Sequence, residues 1–167
     1  VKKDKAEDTV ELMFIGGIAP GTTVSLGGMG KIVRDCGTVT IPKREFLNGM
    51  TAGIEKMLAS RKLVVLSGMS DEERERYGVK YGDNDILTEQ QFRKLLDYDV
   101  AQICSVFDKL CDTHKRIVAK VFYSALSEDD RRVTPEKAKA LNVISEKTTS
   151  PGLFSAMLDD MRATKIL

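Results

Sequence analysis

Between Val10 and Ile41 the chain never runs more than six residues without a glycine. An amphipathic helix of three turns needs roughly 11 residues of unbroken pattern, so none fits there. What remains are four short β-prone runs, VELMFI, TTVSL, KIVRD and GTVTI, set apart by Gly16-Gly17, Pro20-Gly21, Gly27-Gly28 and Cys36-Gly37. Short runs punctuated by such turn residues predict a small antiparallel unit. Alternation agrees, with Val24 and Leu26 on one face, Val39 and Ile41 likewise, and Ser25 and Thr40 opposite.

The stretch GGMGK, Gly27 to Lys31, invites a phosphate-loop reading. A Walker loop requires Gly, four spacers and Gly-Lys-Ser/Thr, because backbone N–H groups cradle phosphates and the hydroxyl holds Mg²⁺. Ser25 stands where the first glycine belongs and Ile32 where the hydroxyl belongs. A dinucleotide fingerprint needs a third glycine where the chain has Val33, and a helix where KIVRDCGTVTI predicts a strand. The glycines are therefore expected to form a turn.

At Pro42 the period changes. Phe46, Met50, Ile54 and Met57/Leu58 recur at helical spacing, which predicts one helix from about Lys43 to Ser60. Gly49 and Gly53 lie on one face of it and predict close packing against the sheet, with Gly53→Leu expected to overpack that contact. LVVLS from Leu63 reads as a strand returning beside the first sheet. Ser70 and Glu73 form a capping box for a short helix ending near Gly78, and the boundary between two halves is placed at Gly82 to Asp85.

The second half is all helix. Thr88 and Gln91 predict a capping box, followed by a long amphipathic helix through Phe92, Leu95/Leu96, Val100, Ile103, Val106/Phe107 and Leu110. The next carries Ile117, Val118, Val121, Phe122 and Leu126. Thr134-Pro135 and Ser150-Pro151 each predict a further helix start, the last with Leu153, Phe154, Met157, Leu158 and Met161 on one face. The expected fold is α+β: a flexible arm over 1–9, a β-rich module with a packed helix over 10–82, and a helical bundle over 83–167.

Composition limits the partners. With 42% hydrophobic residues the chain can build a core, and a formal charge of +1 offers no broad grip on nucleic acid or an anionic membrane. The longest apolar runs are strand length, far below the roughly 20 residues of a membrane span. Three cysteines without a CxxC pair, and no apolar leader before the first charges, lead to the expectation of a soluble protein in a reduced, intracellular setting.

Cys104, Cys111 and His114 have zinc-binding chemistry, yet seven helical residues would separate the two thiols by about 10 Å, and a fourth ligand is missing. They are expected to be packing thiols and a solvent-facing histidine, the helix being capped by Asp112 or Thr113. Asp129-Asp130 and Asp159-Asp160 are adjacent, so their carboxylates point about 100° apart on a helix and do not converge. No catalytic, cofactor or metal residue is expected.

Taken together, VELMFIGG, TVTIPKREF leading into a helix, and LASRKLVVL resemble the small β-modules of tailed-bacteriophage virion proteins, where a strand ending in a V-x-I/V-P turn precedes a helix. The resemblance spans roughly Val10 to Leu66. It implies a non-enzymatic structural protein of the virion, decorating the head or joining head to tail. Such a protein docks on capsid, neck or tail subunits, as a homo-oligomer assembled in the host cytoplasm. The competing expectation is a cytosolic interaction or regulatory protein, one that could bind nucleic acid. A small enzyme using Cys111 and His114 is a third.

The failed phosphate-loop pattern generates a first prediction. Calorimetric titration with Mg·ATP should register no binding to the native protein or to Lys31→Ala; binding abolished by the substitution would restore the nucleotide reading.

Overall fold

The structure, a computed structural model, describes residues 8–82 and 85–164. It is an α+β fold whose chain divides into two units, one ending at Tyr81 and the other beginning at Gly82. Positions 83 and 84 of the expected boundary lie outside the described residues, as do positions 1–7 of the expected arm. Thr9, assigned to that arm, instead opens the first strand.

In the first unit β1 (Thr9–Phe14) is the middle strand of an antiparallel sheet ordered β4-β1-β5, with β4 at Thr38–Pro42 and β5 at Leu63–Ser67. Val10, Leu12 and Phe14 share one core cluster with Ile41, Leu63 and Val65. Met13 and Val64, paired across the ladder on the opposite face, are also buried, so LVVL reads as a continuous apolar run rather than an alternating one. A second, two-stranded sheet pairs β2 (Val24–Ser25) with β3 (Lys31–Ile32) through a 3-10 turn at Gly27–Met29. Gly27 and Gly30 adopt φ of 68° and 118°, which answers for the glycines of GGMGK.

The helix expected from Lys43 to Ser60 is two helices, α1 (Lys43–Asn48) and α2 (Ala52–Ala59). Gly49 closes the first by donating its N–H to the Glu45 carbonyl. Thr51 is extended, and its hydroxyl accepts from the Ile54 N–H, starting the second. The glycines consequently differ. A Cβ on Gly49 would lie 2.9 Å from Met29 Sδ, whereas one on exposed Gly53 would meet nothing nearer than Thr51 Oγ1 at 3.8 Å. Gly49 is thus closely packed, though against the 3-10 turn at Met29 rather than the sheet, and Gly53 is not. α3 (Asp71–Tyr77) carries the Ser70–Glu73 capping box and ends at left-handed Gly78.

In the second unit the long helix expected after Thr88 is also broken. α4 (Glu89–Lys94) runs into a 3-10 turn at Leu95–Asp97. Asp99 then builds its own capping box with Gln102 and starts α5 (Val100–Lys109). Next come α6 (Asp112–Ser127), α7 (Pro135–Ser145) and α8 (Ser155–Ala163), with α5 against α7 and α7 against α8. Cys111, not Asp112 or Thr113, holds the position before α6, without a side-chain cap. Phe154 packs edge to face with Phe107 at 5.7 Å and Phe122 at 5.9 Å, at the centre of the core.

The last helix begins at Ser155, not at Pro151. The Leu153 N–H donates to Ser145 Oγ at 2.9 Å and the Phe154 N–H to Asn142 Oδ1 at 3.0 Å, so α7 holds this backbone before it turns helical. Asn142 completes its amide by donating to Glu146 Oε1. Gly152 lies so close that a Cβ there would come within 2.2 Å of Asn142 Oδ1. Gly152→Ala should therefore cost about 2 kcal/mol or more by overpacking a buried polar network. Gly53→Ala should be neutral or stabilise by up to about 1 kcal/mol through helix propensity. Urea midpoints of the two variants check the contrast, and equal losses would contradict it.

Candidate functional site

The two outer edges of the three-stranded sheet are finished differently. β1 and β4 pair from Thr9↔Pro42 to Met13↔Thr38. In the same register the Lys43 N–H donates to the Asp8 carbonyl at 2.7 Å and the Phe14 N–H to the Gly37 carbonyl at 3.1 Å. Hydrogen-bonded pairs alternate in an antiparallel ladder, so Val10↔Ile41 and Leu12↔Val39 are the bonded pairs between these two. Val39 and Ile41 thus aim their backbone groups at β1, while Thr38 and Thr40 aim theirs away. β4 is an edge strand, Thr38 and Thr40 are exposed, and no hydrogen bond engages them from outside the sheet among the described residues. Pro42, at the strand's end, has no N–H to offer.

β5 is instead covered by side chains at Val65 and Leu66. Its ladder to β1 shifts between Glu11↔Ser67 and Leu12↔Val65, leaving Leu66 as the extra residue of a bulge. Arg74 spans the bulge: Nη1 donates to the Val65 carbonyl at 3.2 Å and Nη2 to the Leu66 carbonyl at 3.4 Å. Nη1 also reaches the Val79 carbonyl at 3.3 Å. The Tyr81 hydroxyl accepts from the Val65 N–H at 3.1 Å. Arg61, stacked 4.5 Å over the Tyr81 ring, donates to the Gly78 carbonyl and holds that ring in place. The outward groups of Val65 and the Leu66 carbonyl are thus satisfied within the unit; Leu63, which by the same alternation also faces outward, draws no such bond among the described residues.

The residues weighed in the sequence fall elsewhere. Lys31 sits exposed on β3, after a turn that opens into a strand rather than a helix. Cys104 is half-buried on α5, and burial, helped by Asp108, raises its thiol pKa, which is the reverse of nucleophile activation. His114 is fully buried, contrary to the solvent-facing expectation, because α4 lays Phe92 edge to face on it at 5.4 Å. Among the described residues no three His, Cys, Asp or Glu side chains are grouped to hold a metal. Asp130 binds Arg132 and Asp159 binds Arg162, while Asp160 accepts from the Tyr123 hydroxyl, so neither carboxylate pair converges. Met157 and Met161, on the apolar face of the last helix, are core residues.

Sequence reasoning missed the roles of Thr38, Thr40, Arg74 and Tyr81. The VTIP alternation does locate the β4 faces. Which edge stays open depends on a contact between Arg74 and a bulge that no local pattern announces.

Comparison with family models, with curated proteins and with solved structures finds no match for this chain. Among the described residues no helix is long and apolar enough to cross a membrane.

Away from the sheet, the most strongly shifted acid is Asp130. Paired hydrogen bonds from the Arg132 side chain, reinforced by the Arg132 backbone, bring it from 3.8 to about 2. A depressed folded-state pKa stabilises above the unfolded value and loses that contribution as pH falls through the folded one. The difference in urea midpoint between native protein and Asp130→Asn should thus be largest near pH 5. It should shrink between about pH 4 and pH 2; a pH-independent difference would contradict the pairing.

Proposed function

We propose that this chain is a non-enzymatic structural protein of a tailed phage particle, decorating the head or joining head to tail, and that it docks on neighbouring virion subunits through its β unit. The observation that carries the reading is the asymmetry of the sheet: one edge covered at Val65 and Leu66 by Arg74 and Tyr81, the other left without such side chains at Thr38 and Thr40. Open edges are aggregation hazards unless short or occupied, and strand addition is a recurring way to hold a neighbour. The resemblance to virion β-modules supports it as well, since its segments supply β1, the β4–α1 corner and β5.

Particles purified from the source by gradient sedimentation should contain the chain in a fixed ratio to the major capsid protein, read by quantitative mass spectrometry. A chain found only in the unassembled fraction would overturn the reading and favour the cytosolic interaction protein.

A further inference from the structure

We infer that the β4 edge is a self-complementary docking site whose occupant is the β4 edge of a second copy of this chain. This rests on the reading of the chain as an assembly subunit and specifies the contact it makes. The outward groups are two N–H and two C=O, from Thr38 and Thr40. An antiparallel two-fold centred on Val39 sets Thr38 of each copy opposite Thr40 of the other, both as bonded pairs, and satisfies all four groups of each edge. Centring the two-fold on Thr40 would set Thr38 against Pro42, which lacks the donor that the Thr38 carbonyl needs.

The ladder is closed at both ends by what each strand offers. Pro42 has no donor, and the Cys36 N–H is already given to the Phe14 carbonyl at 2.8 Å. Pairing therefore stops at four backbone hydrogen bonds. Two cross-strand Thr–Thr pairs lie on the exposed face, a combination that stabilises antiparallel pairs. Beyond the ladder the chain leaves the strand on both sides, through a turn at left-handed Cys36 and into α1 at Lys43, so the backbone of Thr38 and Thr40 carries the contact.

Four bonds cover far less than the roughly 1,000 Å² of a stable interface. The pairing is accordingly weak between free molecules, and becomes populated at the millimolar effective concentrations created when copies are held side by side.

The register specifies the test. Thr40→Pro removes an N–H that points away from β1 and leaves the β1–β4 ladder its bonds. In sedimentation equilibrium on the full chain up to millimolar concentration, the native protein should dimerise reversibly. Thr40→Pro, with an unchanged circular dichroism spectrum, should dimerise at least tenfold more weakly. Should that variant misfold, concentration-dependent amide shifts of the native protein by NMR provide the second reading. Shifts centred on Thr38 to Ile41 support the contact, and shifts elsewhere overturn it. A native protein that stays monomeric, or a folded Thr40→Pro that associates equally well, also overturns it. Either result leaves the particle measurement to decide separately whether the chain is a virion component.

Discussion

Everything in the first unit is organised around β1, hydrogen-bonded on both sides and buried over most of its length. Val10, Leu12 and Phe14 are each 5% exposed or less, and Met13 on the other face is equally buried. A strand with both edges bonded fixes the register of its neighbours, because a slip by one residue would reverse every side chain. The consequence is that in the three-stranded sheet the backbone groups left unbonded face outward, on β4 and β5. What each outer strand does with those groups decides whether the sheet ends or continues.

At β5 the answer is a polar seal. Arg74 leaves α3 from beside its capping box and donates to the Val65 and Leu66 carbonyls at the bulge, while Tyr81 takes the Val65 N–H. Lys43 bonded to Glu73 at 2.6 Å ties the start of α1 to the start of α3 and lowers the Glu73 pKa. At β4, among the described residues, no side chain takes the outward backbone groups of Thr38 and Thr40. Shortness and Pro42 limit the exposed ladder without closing it, the arrangement expected of an edge that is unpaired at low concentration and pairs when copies are brought together.

The strands and their faces were legible because glycine spacing and alternation act locally. So were the capping boxes at Ser70 and Thr88 and the proline-initiated helix at Thr134, each contained within four residues. Helix breaks were harder to see. Thr51 and Asp99 restart helices inside runs whose apolar periodicity continues straight through, so the period concealed the caps. Least legible were features that depend on distant contacts. Examples are the burial of His114 under Phe92, the capture of the Leu153 and Phe154 amides by α7, and the closure of β5 across the distance from Val65 to Tyr81.

Residue-resolved hydrogen exchange on the dilute protein tests the two-edge account most directly. Exchange reports the opening free energy of individual amide bonds. The Val65 amide, held by Tyr81, should be protected to the same degree as Val39 and Ile41 in the ladder, while Thr38 and Thr40 exchange at rates close to those of open chain. Protection of Thr38 and Thr40 equal to that of their neighbours in the monomer, or fast exchange at Val65, would contradict it.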